Sequence, residues 1–138
     1  MKKVYLHWGI IEAATTRLAH DIKDSKIKFS SIYGLPRGGL VPAVILSHKL
    51  NIPYQKDDID YGDGNILLVD DICDTGETLH PYAGYPQIHT VTIHYKKSAM
   101  IQPSFWWKEV TDNEWIVYPW EQANSKTIQD YKNATKGE

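Results

Sequence analysis

The segment LLVDDICDTGETL, residues 67–79, gathers the groups best suited to chemistry. An apolar run meets two adjacent carboxylates, Asp70 and Asp71, and a third, Asp74, follows three residues on. Carboxylates where a buried strand emerges are costly unless a cation, hydroxyls or a basic group compensates them. Thr75, Gly76, Glu77 and Thr78 then form a turn offering backbone N–H groups and two hydroxyls. Where such a turn opens a helix it favours a phosphate. A plain helix cap by Asp74 or Thr75 would use the same residues. A calcium loop is not supported, since its ligand spacing and closing bidentate glutamate are absent.

A second loop, GLPRGGL at residues 34–40, is the natural partner of the first. Gly38 and Gly39 let the backbone come close to a ligand, and Arg37 is a fixed cation suited to phosphate oxygens. Two anion sites flanking a patch of carboxylates describe one kind of ligand. It has a phosphate at one end, a polyphosphate at the other and hydroxyls between, and a divalent cation helps to neutralise the ensemble.

These loops need elements to hold them. Ile11, Ala14, Leu18 and Ile22 recur at three- and four-residue spacing, which predicts an amphipathic helix over 8–22. Residues 29–35 read as a strand running into the glycine loop, and 39–51 as a helix with Pro42 in its first turn, closed by Asn51 and Pro53. Ile52 to Tyr54 is a candidate short strand, and residues 55–65 are an acidic, turn-rich surface connection. Ile66–Val69 is continuously apolar, the pattern of a central parallel strand covered on both faces. A short helix limited by Pro81 is predicted after the Asp/Gly motif, then strands over 90–95 and 114–118. The tail, about 122–138, is polar. Alternating strands and helices predict an α/β fold with a mainly parallel sheet, whose ligands sit beyond the carboxyl ends of the strands. Both loops leave strands at that edge and can face one pocket.

At 138 residues the chain is read as one domain, 1–138. A net charge of -2 and a pI near 6.3 give no reason to expect a nucleic-acid or membrane partner. No apolar run approaches a membrane span. Cys73 is the single cysteine, which excludes an internal disulfide and fits a reducing compartment; it is read as a packing residue. A cytoplasmic protein is the expectation. The 6 histidines show no metal-ligand spacing and are read as surface or structural. Trp106 and Trp107 are read as core or subunit interface.

The motif ILLVDDICDTGETL closely resembles the 5-phosphoribosyl-1-pyrophosphate (PRPP) signature of the type I phosphoribosyltransferases. GLPRGGLVPAVILSHKL is similar to the pyrophosphate loop and following helix of the bacterial xanthine-guanine and hypoxanthine branch. VTIHYKK and DNEWIVYPWE resemble that branch's lysine-bearing strand and the W-I-x-x-P-W segment of its purine pocket. The resemblance runs from about Val4 to Glu121. It implies a type I phosphoribosyltransferase fold, a mainly parallel central sheet flanked by helices with a small C-terminal purine-binding hood. The implied activity is transfer of the 5-phosphoribosyl group of PRPP to a 6-oxopurine, with release of pyrophosphate and Mg²⁺ as cofactor. By this resemblance Asp70 and Asp71 take the ribose and metal side, directly or through water. Asp74, Thr75, Gly76, Glu77 and Thr78 hold the 5-phosphate, and Arg37, Gly38 and Gly39 the pyrophosphate. Asp74 is the general base near N7. Lys96 recognises the 6-oxo group, with Lys97 the alternative one residue on. Trp115 stacks on the purine and Ile116 offers backbone contacts at its 2-position. A cis peptide between Pro36 and Arg37 and a dimer or tetramer are also implied.

Chemistry agrees with these roles. Carboxylates stabilise positive charge developing at the anomeric carbon, while Mg²⁺ and Arg37 suit the departing pyrophosphate. Stacking a base on an aromatic ring is worth roughly 1–3 kcal/mol. A lysine donor selects oxopurines, because adenine's amino group would leave it unpaired. The sequence departs from the branch in one place. Residues 52–65 are too short for the long mobile excursion that usually closes over the site, so a shortened or missing lid is expected. A non-catalytic PRPP- or nucleotide-binding regulatory module, or an enzyme for another base, are the alternative readings. A pure sensor has no need of Asp74, Lys96 and Trp115 together.

Overall fold

The computed structural model describes residues 1–55 and 64–122. The connection 55–65 lies largely outside the described residues, and with it most of the 52–65 segment where a shortened or missing lid is expected, as does the tail beyond 122. Helix α1 (Trp8–Asp24) forms as its periodicity predicts, burying Ile11, Ala14, Leu18 and Ile22 along one face. Helix α2 (Leu40–Leu50) buries Pro42, Ala43 and Leu46 and ends at Asn51, which takes the left-handed conformation (φ 54°) that asparagine tolerates.

Six strands complete the fold: β1 (Lys2–Tyr5), β2 (Phe29–Gly34), β3 (Asn65–Cys73), β4 (Ile88–Lys96), β5 (Phe105–Val110) and β6 (Glu114–Val117). The central sheet has the order β2-β3-β4-β5, and every pair in it is parallel. A separate two-stranded sheet pairs β1 with β6 in parallel register, Val4 opposite Ile116. This is the hood, and half of it comes from the N-terminus. The predicted strand at 52–54 contributes a single bridge, Ile32 to Tyr54, because Pro53 has no N–H to continue a ladder.

Two expectations change at the centre. The acids do not follow β3; they belong to it. Pairing with β2 stops at Gly34 opposite Val69, but β4 carries β3 onward through Asp70, Ile72 and Cys73, opposite Thr92, His94 and Tyr95. The helix predicted after the motif is replaced by a turn closed by His80 N–H to Gly76 O (2.9 Å) and a 3-10 turn at His80–Tyr82. Pro81 lacks the N–H and clashes with the carbonyl that a longer helix would require.

The larger core joins α1 and α2 to Leu67, Val69, Val91 and Ile93 of the sheet and to Ile116 and Tyr118 of the hood. The smaller core joins Leu35, Leu68, Cys73, Leu79, Ile88 and Tyr95. Each fully buried aliphatic side chain among them contributes roughly 1.5–3 kcal/mol. Trp107 packs against the first core and Trp106 against the second. The return from β4 to β5, residues 97–104, crosses back over the sheet. It is tied down by Met100 N–H to Thr75 O (2.8 Å) and by reciprocal bonds between Thr90 and Ser104 (3.0 and 3.3 Å). No helix among the described residues is long and apolar enough to cross a membrane.

Candidate active site

At the carboxyl end of β3 the backbone turns towards its own acids. Asp71 N–H donates to Asp70 Oδ1 (2.9 Å) and Ile72 N–H donates to Asp71 Oδ1 (2.7 Å). Burial pushes both carboxyl pKa values up, and for Asp71 the neighbouring charges of Asp70 and Glu121 push further. Among the described residues neither acid has an ion-pair partner. The glycine loop packs directly on this pair. A Cβ on Gly38 would collide with the Asp71 carboxylate, so a larger residue there would force that carboxylate out of place. The Pro36–Arg37 peptide is cis, and the loop is anchored by Leu35 N–H to Val69 O (2.9 Å) and Gly39 N–H to Leu35 O (2.8 Å). Arg37 itself is exposed.

A cavity of about 260 Å³ opens beside these acids. Asp70, Asp71, Asp74, Thr75, Gly76 and Thr78 line it, together with Lys96, Trp115 and Ile116 from the other side. Of the residues singled out in the sequence, Arg37, Gly38, Gly39 and Glu77 do not line it. The glycine loop reaches only the Asp71 side, and Glu77 is exposed.

Each lining group is fixed by its element. Lys96 ends β4, is 4% exposed, and holds its Nζ 3.1 Å from Asp74 Oδ1; Lys97 points into solvent. Gly76 adopts φ 89° against Met100, where an added Cβ would sit 2.9 Å from Met100 Cγ. The Thr75 hydroxyl accepts from Glu77 N–H (3.2 Å), so the turn is capped from within, and Asp74 supplies no cap. Trp115 comes from β6, its indole Nε1 buried with no partner among the described residues. The arrangement sets hydroxyls and amides beside carboxylates at one end, and a buried cation beside an aromatic ring at the other.

Residues 54–124 match the phosphoribosyl transferase domain family. The chain is 33% identical to a xanthine-guanine phosphoribosyltransferase of Cereibacter sphaeroides over 117 residues, covering 67% of this chain and 70% of that protein. It is 28% identical to a protein of the same description from Chromohalobacter salexigens, covering 84% of this chain and 82% of that one. Among solved structures, a purine phosphoribosyltransferase from Pyrococcus horikoshii superposes with a TM-score of 0.72 at 29% identity, covering 92% of this chain and 99% of that chain.

The chain belongs to the phosphoribosyltransferase family, in its xanthine-guanine branch.

Several cavity residues of this family member lie outside the reading of the sequence. Glu114, Tyr118 and Glu121 line the cavity, and Leu79 forms part of its wall. Glu121 accepts from Tyr118 N–H (2.9 Å), and Glu114 from Thr111 N–H and its hydroxyl (both 3.0 Å). Glu121 closes the DNEWIVYPWE segment, but nothing in the sequence assigned a role to it or to Tyr118, whose partners are far away in the chain. A divalent cation fits the acid pair. Both side chains offer only oxygen, each has spent one oxygen on a backbone N–H, and no basic group among the described residues offsets their charge. The described residues contain no cluster of three or more metal-ligating side chains, so the remaining ligands would be substrate oxygens and water.

Proposed function

We propose that this protein transfers the 5-phosphoribosyl group of PRPP to a 6-oxopurine, guanine, xanthine or hypoxanthine, giving the nucleoside monophosphate and pyrophosphate. The observation that carries the reading is the pair formed by buried Lys96 and half-buried Asp74 (3.1 Å), which line the cavity with Trp115. One edge of a 6-oxopurine presents an oxygen acceptor at C6 next to an N–H donor at N7. A lysine donor next to a carboxylate acceptor is its complement, and the indole covers the flat face. Adenine offers a donor where the oxygen should be.

Asp74 accepts the N7 proton as N9 attacks the anomeric carbon. Asp70 and Asp71 face the ribose, where their charge stabilises the positive character of that carbon. Backbone amides of 75–78 and the Thr78 hydroxyl take the 5-phosphate. Arg37, exposed on its cis-peptide loop, receives the pyrophosphate. Asp70 and Asp71 would hold Mg²⁺, directly or through water, and the ion would supply positive charge to offset that of the departing pyrophosphate. A cytoplasmic dimer or tetramer accompanies this reading, and exposed Leu40 and Val44 on α2 offer apolar surface for it.

The test mixes protein, PRPP and Mg²⁺ separately with guanine, hypoxanthine, xanthine, adenine and orotate, and follows nucleotide and pyrophosphate. Product is expected with oxopurines only. PRPP binding without product from any base would overturn the enzyme reading in favour of a regulatory module.

A further inference from the structure

Tyr118, three residues beyond Trp115, is 1% exposed, and its ring stacks flat on Trp120 (centroids 4.9 Å apart, 7° between planes). Its hydroxyl leaves the hood and enters the central sheet. There it donates to Asp71 O (3.0 Å) and meets His94 Nδ1 of β4 at 2.8 Å. Proton counting orders this chain. The hydroxyl has one hydrogen, given to Asp71, so His94 must carry its proton on Nδ1 and donate it to the phenolic oxygen. Burial, with Lys108 nearby, lowers the His94 pKa to about 4, which keeps the ring neutral and allows that tautomer. The ring is held by edge contact with Trp107 (5.6 Å, 75°).

The backbone gripped in this way is that of Asp71, the second of the two acids. The β3–β4 register includes Asp70 opposite Thr92 and Ile72 opposite His94, with no pair at Asp71. Asp71 N–H is held by Asp70 Oδ1 and its carbonyl by Tyr118, so side chains hold both of its backbone groups. If the backbone at Asp71 turns, its carboxylate and the Gly38 contact turn with it, and the N–H that Asp70 Oδ1 accepts from is displaced. We infer that Tyr118, oriented by His94, is a positioning residue that fixes the backbone of Asp71 for PRPP and locks the purine hood to the sugar side of the site. The inference rests on the proposed transfer reaction, which assigns Asp70 and Asp71 to PRPP.

Tyr118→Phe keeps the stacked ring and removes only the hydroxyl. It should raise KM for PRPP about tenfold, the effect of one lost hydrogen bond on a group that must be held in place. KM for the purine should change less than about twofold. His94→Leu should reproduce the PRPP defect. His94→Asn, which can return a donor to the Nδ1 position, should recover most of it. A purely structural Tyr118 would lower Tm and leave both KM values alone, or shift them equally; either result overturns the inference. Hydrogen exchange of the 70–74 backbone supplies a readout free of turnover. Tyr118→Phe should speed it at least about fivefold beyond Ile22→Val, a core variant of α1 remote from the acids, with both variants compared at equal global stability. Exchange equal in the two variants refutes the positioning role. A wild-type protein that neither binds PRPP nor makes product refutes the transfer reading instead, and the exchange result still decides whether Tyr118 holds the peptide.

Discussion

Replacing Lys96 with methionine keeps an unbranched side chain only one atom shorter and removes its charge. At 3.1 Å from Asp74, the gross attraction is roughly 5 kcal/mol at an effective dielectric near 20. Withdrawing the ammonium from water costs several kcal/mol, so the pair's net contribution to folding is small. Asp74 is 25% exposed and can recover water when its partner is gone. Stability should therefore fall by only about 1 kcal/mol, a Tm change of a few degrees. Function should suffer far more. The 6-oxo oxygen loses a charge-assisted hydrogen bond worth about 1.5–3 kcal/mol, or roughly 10- to 150-fold in kcat/KM for each oxopurine. Adenine should gain in relative terms, because the donor that opposed its amino group is absent. The assay is steady-state kinetics with four purines at saturating PRPP, beside a thermal melt. If kcat/KM for guanine, hypoxanthine and xanthine all stayed within twofold of wild type while the protein melted normally, Lys96 would not be the purine's partner.

Asp74→Asn should lower kcat by about 10²–10⁴, the usual range for a general base, with PRPP KM within about threefold; equal losses in both would refute its role as base. Asp70 and Asp71 have raised pKa values in the folded state, so the native protein binds protons that the unfolded chain releases. Metal-free stability should fall as pH rises from the ordinary carboxyl value of 3.8 through the raised folded values, and return as pH drops. Asp71→Asn should flatten that slope in a melt series with chelator, raise Tm at neutral pH by a few degrees, and weaken Mg²⁺-dependent PRPP binding; an unchanged slope would remove the acids as its source. Burial beside Asp70 and Asp74 pushes the Cys73 thiol up to about 11, so iodoacetamide should label it in the native protein over about a hundredfold more slowly than a free thiol, and readily after unfolding. Rapid native labelling would show that the second core opens easily.

What could be read in the sequence follows from where the determining interactions lie. Helix α1 and the apolar start of β3 announce themselves through local periodicity, and the glycine loop and the T-G-x-T turn through residue types with few other uses. β1 and β5 escaped because their pattern is not local. β1 is four residues with two lysines and exists only by pairing with β6, and adjacent tryptophans in β5 serve opposite cores and so break the alternation. The length of β3 was underestimated for a similar reason: charged residues end a strand by propensity, but β4 goes on offering them a ladder. At the site, side chains within a motif were legible and those joining motifs were not. Lys96 meets Asp74 across 22 positions of sequence, and Tyr118 meets Asp71 across 47. The cavity also separates residues that the sequence placed side by side in one role, since Thr75 and Thr78 line it and Glu77 does not.

The return segment after β4 closes a ring. From Lys96 the chain reaches Met100, whose N–H holds Thr75 O; Thr75 is bonded to Asp74, and Asp74 pairs back to Lys96. The two ends of the cavity are thus parts of one small cycle held closed by these two polar contacts. Under the proposed assignment, the gap between phosphate cradle and purine edge is set by covalent geometry and two polar contacts, independent of any lid. The protein measures a length. A ligand must present its phosphate and its base at the separation found in a nucleoside monophosphate, and lengthening the segment between Lys96 and Met100 would retune that gauge before it disturbed either end.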